Sequence, residues 1–318
     1  MTRVLVTGAT TPLGIRLVEA LLSEPRVERV LAAGTTPEPP ALAVIDPDRL
    51  RYVQVDLEHA RQAKSLLFGP AREFEIDTIV HAALHRSAAA SGGRARRLDV
   101  EATRVLLDAA ERHPTVRRFV LRSHADVYRV DPRRPSLVSE DDPLDLSREA
   151  PERVRDRVEA DLVVTTRMAS SRLRLVVLRL AEILAPDCGS QLFDYLESRV
   201  CLRPLGFDPM LNVLSLDDAA LAFLLAVFCE SSGVFNVPGA DTLPLSGVIA
   251  RWGRADVPLP GPLLSPLYRL RRTALGLEFS YDVNLRRFHF GSILDGSRAR
   301  ESLAYRPVKQ IAWARRGE

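Results

Sequence analysis

The stretch Val4-Leu5-Val6-Thr7-Gly8-Ala9-Thr10-Thr11-Pro12-Leu13-Gly14 decides how the first half of this chain is read. Apolar and β-branched residues make a short strand, a glycine interrupts it, and Pro12 suits the first turn of a helix. Leu13, Leu17, Leu21 and Leu22 then keep helical spacing through Ser23. A strand, a glycine turn and a helix form the arrangement that lets backbone approach a pyrophosphate while the helix N-terminus favours its charge. The usual spacing is G-x-G-x-x-G. Here only Gly8 and Gly14 remain, with Thr11 where a middle glycine often sits. The expected cofactor-binding residues in this loop are Gly8, Thr10, Thr11, Pro12, Leu13 and Gly14.

Outward from that opening, strand and helix patterns alternate. Strands are expected at residues 4–7, 30–33, 52–55, 76–83, 118–121 and 173–178, with helices over 94–112 and 151–171 between the later ones. Regular alternation predicts an α/β protein with a Rossmann-type, doubly wound parallel sheet. After residue 180 the rhythm breaks. Helical pieces (190–200, 216–230, 245–254, 295–303) mix with short strands (211–215, 233–237), and Pro258, Pro260, Pro262 and Pro266 mark an irregular stretch. The expected organisation is a dinucleotide-binding domain over 1–180 and a smaller C-terminal α/β lobe over 181–318, partly contributing back to the first. Residues 36–47 read as a flexible, Pro-rich surface loop.

Bulk properties narrow the classes. A hydrophobic content of 46% and a charged content of 27% are ordinary for a globular protein. The net charge of +3 gives no argument for a nucleic-acid partner. Of 44 basic residues only Lys64 and Lys309 are lysine, so lysine-dependent chemistry has two candidates. Positive charge gathers after residue 250, where an anionic ligand or a membrane surface is conceivable and a solvated face is the plainer explanation. Cys188, Cys201 and Cys229 form no disulfide framework and no paired metal spacing. The chain opens directly on a strand, without a charged-then-apolar leader, and a cytoplasmic location is expected.

Other strand ends carry site candidates. The second strand ends in Ala32-Ala33-Gly34-Thr35-Thr36, where an acid would hold an adenosine ribose or a base a 2′-phosphate. Neither is there, so nothing selects NAD over NADP. Asp56 and Leu57 follow the third strand, where Asp56 either meets adenine or caps the next helix. Ala82 and Ala83, small residues ending the fourth, allow a cofactor to lie across the sheet.

Taken in order, these residues resemble the extended short-chain dehydrogenase/reductase superfamily, in its NAD-dependent epimerase/dehydratase branch. The likeness rests on Thr7-Gly8…Gly14, Asp56-Leu57, His81-Ala82-Ala83 and Phe119-Val120-Leu121-Arg122-Ser123 leading to Val127-Tyr128. It continues through Val177-Leu178-Arg179, Leu216-Asp217-Asp218-Ala219, Gly233-Val234-Phe235-Asn236-Val237 and Ala299-Arg300-Glu301-Ser302-Leu303-Ala304-Tyr305-Arg306-Pro307, covering nearly the whole chain.

The resemblance implies a tyrosine that exchanges a proton, a lysine four residues on, and a Ser or Thr after the fifth strand. At the matching positions stand Arg153, Arg157 and His124, with Ser123 beside it; the acid that often follows is Asp161. No tyrosine lies between Tyr128 and Tyr195. Tyr305 and Lys309 have the right letters, but Pro307 between them disfavours the helix that would join them. Arginine stays protonated and cannot act as a base. Two expectations follow. One is an NAD(P)-binding member that has lost the reaction and acts by binding a nucleotide or partner. The other is an NAD(P)-dependent oxidoreductase or nucleotide-sugar epimerase/dehydratase centred on His124, with Ser123, Tyr128 and Arg157 assisting. Arg269, Arg271, Arg272, Arg286 and Arg287 are candidates for an anionic substrate, and relatives' habits suggest a homodimer.

Overall fold

The structure is a computed structural model, and it describes residues 1–37, 39–43, 48–85, 92–133 and 135–313. Its main sheet has seven strands: β1 (Thr2–Thr7), β2 (Val27–Gly34), β3 (Leu50–Gln54), β4 (Thr78–His81), β5 (Arg118–His124), β6 (Arg174–Leu180) and β7 (Gly233–Val237). All pair in parallel, in the order β7-β6-β5-β4-β1-β2-β3. The order reverses between β1 and β4, where Thr7 is level with Ala33 on one side and His81 on the other. Ligands bind in such sheets at that switch point, beyond the carboxyl ends of the strands.

Alternation along the strands builds two cores. Val4, Val6, Val30 and Ala32 face α1 (Pro12–Ser23) through Leu13, Leu17, Val18 and Leu21. Leu5, Leu31, Ile79 and Phe119 face the opposite layer, where α2 (Ala102–Arg112) contributes Leu106 and Leu107. The helix α3 (Glu152–Thr165) packs beside α2, and α4 (Leu216–Val227) packs beside α1. A third core lies under the later short strands. In it Tyr195 meets Phe288 edge-on at 5.0 Å, and Tyr268 meets Phe279 at 4.8 Å.

The strand at 233–237 joins the main sheet as β7, because Gly233 to Val237 pair along Val176 to Leu180. Two expectations are corrected. The stretch around Pro258–Pro266 is not irregular: a strand spans Ala255–Leu259 and a helix spans Gly261–Leu275. Pro258 sits in a two-stranded sheet and Pro262 in the first helical turn, both places that tolerate a missing amide. Within 36–47 one helical turn forms at Pro40–Ala43; residues 38 and 44–47 of that expected flexible loop lie outside the described residues. No helix among the described residues is long and apolar enough to cross a membrane.

Candidate functional site

The glycine loop is built as the spacing predicts. Gly8 has φ +71°, and a Cβ there would stand 2.7 Å from the Ala83 Cα. Only glycine lets the first turn press against the end of β4. Thr11 caps α1: its hydroxyl accepts the Gly14 amide at 3.1 Å and donates to the Gly8 carbonyl at 2.8 Å. Pro12 occupies the first helical position, and the Leu13 side chain is fully buried in the core.

Beyond the strand ends, a cavity of about 480 Å³ opens over β1, β2 and β3. Gly8, Thr10, Thr11, Asp56, Leu57 and Ala83 line it, with Ala82 buried behind. That volume is in the range of small-molecule sites. Asp56 does not cap the next helix, whose N-cap is His59; one of its oxygens accepts the Glu58 amide at 2.9 Å, and the residue walls the cavity. Gly34 explains the missing ribose acid in part, since a Cβ there would come within 2.8 Å of the Thr10 side chain.

Over β4 and β5 the site is different. The space among His81, Ala83, Ser123, His124, Arg157 and Asp161 is about 20 Å³, room for one water. Arg153 and Arg157, one turn apart on α3, both donate to the Gly189 carbonyl, at 2.8 and 3.4 Å. Arg122 donates to the Cys188 carbonyl at 2.8 Å. Three buried arginines thus hold residues 187–190 across this end of the sheet. Asp187 and Gly189 have φ of +53° and +66°, a backbone that such anchoring must keep in place. Asp126 bonds Arg157 and lies 3.8 Å from Arg153. Glu182 receives Arg287 at 3.0 Å, the Ser190 hydroxyl at 2.9 Å and the Leu192 amide at 3.1 Å. Burial alone would raise the Glu182 carboxyl, but Arg287 and Arg153 outweigh it and bring it down to about 2. Burial, with Arg157 beside it, lowers Arg153 to about 10, so it remains a cation at neutral pH.

His124 stands among these groups. Its Nε2 is enclosed and has no hydrogen-bond partner. Burial, then Arg157, Arg122, Arg153 and Arg287, push the imidazole well below its ordinary 6.5. It is a neutral ring at physiological pH, not one poised to exchange a proton there. Ser123 and Tyr128 are tied into a network behind it. The Ser123 hydroxyl donates to Asp161 at 2.6 Å, Arg179 pairs with Asp161 at 2.8 Å, Arg179 also donates to the Tyr128 oxygen at 2.9 Å, and Tyr128 donates to Asn236 at 2.6 Å. Burial pushes the Tyr128 phenol up to about 12. The structure therefore brings His124, Ser123 and Arg157 to one small space but occupies Ser123, Tyr128 and Arg157 with other partners.

Tyr305 and Lys309 are apart from this centre. The Tyr305 hydroxyl donates to the Pro238 carbonyl at 2.8 Å, beyond the end of the last helix, Ser297–Leu303. The arginines after residue 250 divide: Arg269 pairs with Asp282, Arg271 donates to the Val200 carbonyl, and Arg286 and Arg287 line a cleft of about 170 Å³ with Arg153. Sequence reasoning missed Arg122, Asp126, Glu182 and the 187–190 segment. A signal did exist: two buried arginines four apart on one helix need acceptors, and the Gly189 carbonyl supplies one.

A family model, NAD dependent epimerase/dehydratase family, matches residues 4–195. Uncharacterized proteins of Mycobacterium bovis and Mycobacterium tuberculosis are 33% identical over 325 residues, covering 96% of this chain and 80% of theirs. Among solved structures, UDP-glucuronic acid 4-epimerase from Bacillus cereus in complex with NAD superposes with TM-score 0.68 at 16% identity, covering 97% of this chain and 94% of that one. The dTDP-glucose 4,6-dehydratase DesIV from Streptomyces venezuelae, with NAD and TYD bound, reaches 0.70 at 21%, covering 98% and 94%. The chain belongs to the NAD-dependent epimerase/dehydratase family.

Proposed function

We propose that this protein is a nucleotide-binding member of its family that does not carry out the family's hydride and proton chemistry. One observation carries the reading: Arg153 and Arg157, at the positions the resemblance gives to tyrosine and lysine, grip the Gly189 carbonyl and leave about 20 Å³ at the reaction end. The solved relatives named above hold NAD. Here the cavity over β1–β3 fits the adenosine end of NAD or NADP, with Gly8, Thr10, Asp56, Leu57 and Ala83 around it. The nicotinamide end does not fit the space of about 20 Å³ among His81, Ser123, His124 and Arg157. No described residue there combines access with a proton to exchange: the arginines stay charged, and Ser123 and Tyr128 serve Asp161 and Asn236. Binding without turnover suits a sensor, a scaffold or a partner subunit.

A second reading keeps a reaction centred on His124, on one specific observation: its enclosed Nε2 has no partner. The two separate in one experiment. NADH and NADPH binding is followed by fluorescence, and turnover of nucleotide sugars and ketones is screened with wild type and His124→Ala. The first reading expects no turnover by either. Turnover that His124→Ala abolishes overturns it, and failure to bind any adenine nucleotide removes both.

A further inference from the structure

A dinucleotide is usually gripped at its middle, where the first amides of the helix after β1 meet the pyrophosphate. In α1 three of those four positions are accounted for within the protein. The Thr11 amide donates to the Gly8 carbonyl at 3.1 Å. Pro12 has no amide hydrogen. The Gly14 amide donates to the Thr11 hydroxyl at 3.1 Å, and that hydroxyl gives its own proton to Gly8.

Charge around the cavity points the same way. The segment that brings in Cys188 also sets the exposed Asp187 on the cavity wall, and exposed Glu278 lies beside it, its carbonyl accepting from Gln191 at 3.3 Å. Among the described lining residues, Asp56, Glu58, Asp187 and Glu278 face a single arginine, Arg94, which already pairs with Glu58 at 3.0 Å. A diphosphate there would find at most the Leu13 amide at the helix end, and would face two carboxylates. A purine nucleoside would meet neither difficulty. Val55, Leu57 and Leu98 offer apolar walls, and Asp56 offers a carboxylate to a donor on the base.

We infer that the cavity recognises a purine nucleoside through its base and ribose, and that phosphates attached to it add no affinity. This rests on the nucleotide-site reading above and sharpens which part of the ligand is held. The test is calorimetric titration of the full chain with adenosine, ADP-ribose and NAD. Adenosine binds at least as tightly as NAD, within about threefold, and rising salt strengthens NAD but not adenosine, because salt screens the repulsion from Asp187 and Glu278. The double substitution Asp187→Asn, Glu278→Gln raises NAD affinity about threefold or more and leaves adenosine unchanged. Both side chains are exposed, and asparagine tolerates the left-handed backbone at 187. NAD binding about tenfold tighter than adenosine overturns the inference while leaving the nucleotide site standing, and so does unchanged NAD affinity in the double variant. No binding by any of the three removes the nucleotide site itself.

Discussion

Replacing Asp161 with asparagine tests the claim that Ser123 and Tyr128 belong to a supporting network. Asp161 is 0% exposed, and Arg179 reaches both its oxygens, at 2.9 and 2.8 Å, while Ser123 donates at 2.6 Å. Asp161→Asn keeps the shape but turns an amide donor toward a guanidinium donor. Two charge-assisted hydrogen bonds weaken, and Arg179, itself 4% exposed, keeps a buried charge without its counterion. Breaking one side of a buried pair costs about 3–5 kcal/mol. That is a large share of the roughly 5–15 kcal/mol that holds a folded protein together. With a urea slope of about 3 kcal/mol per molar, a loss of about 4 kcal/mol moves the unfolding midpoint down by roughly 1.3 M. Ser123→Ala and Tyr128→Phe each remove one partner from the same network and cost about 1–2 kcal/mol. None of the three touches the wall of the large cavity, so folded samples bind adenosine as wild type does. A loss below about 1 kcal/mol for Asp161→Asn refutes the reasoning, as does a selective loss of ligand binding in Ser123→Ala.

Further outcomes follow from the same geometry. Burial brings the His81 imidazole down to about 4, between Thr7 at 2.7 Å and Thr103 at 3.1 Å. The unfolded chain takes up that proton near pH 6.5, so stability is lost as pH falls from about 6.5 to 4, by about 3 kcal/mol from His81 with His124 adding in the same direction. Denaturation at pH 7 and pH 4.5 reads the loss, and the ring signals of His81 and His124 stay fixed in NMR from pH 8 to 5.5; a mid-range titration of either contradicts the burial. Gly8→Ala puts a Cβ 2.7 and 2.8 Å from the Ala83 backbone at φ +71°, so it strains the turn by at least about 1–2 kcal/mol and weakens adenosine binding tenfold or more in calorimetry. Arg157→Met leaves the nearly buried Asp126 with only Arg153, 3.8 Å away, and lowers stability by about 3 kcal/mol in the same urea assay.

The parallel sheet was legible because its strands are short apolar runs separated by helical spacing, and Gly8 sits where only a glycine fits. β7 was harder, since Gly233–Val237 follows a long excursion and reads alone as a lobe strand; its place depends on pairing with β6. The prolines around 258–266 suggested an irregular stretch, yet Pro258 lies in a strand, Pro262 in the first turn of a helix and Pro266 inside that helix. The arginines at 153 and 157, where the resemblance places a tyrosine and a lysine, were plain in the letters. What they hold was not, because Asp187-Cys188-Gly189-Ser190 carries no local pattern and gains its meaning only when three arginines from β5 and α3 converge on its carbonyls. The neutral state of His124 has the same origin: four arginines from three separate elements surround it.

Saturation-transfer NMR on NAD mixed with the full chain tests the central claim most directly, since it reports which protons of a weakly held ligand touch the protein. The account predicts strong transfer to the adenine and adenosine-ribose protons, which enter the cavity of about 480 Å³, and almost none to the nicotinamide protons, which find only about 20 Å³ at the other end. Equal transfer to both rings would contradict it, because the nicotinamide would then need more room than His81, Ser123, His124 and Arg157 leave between them.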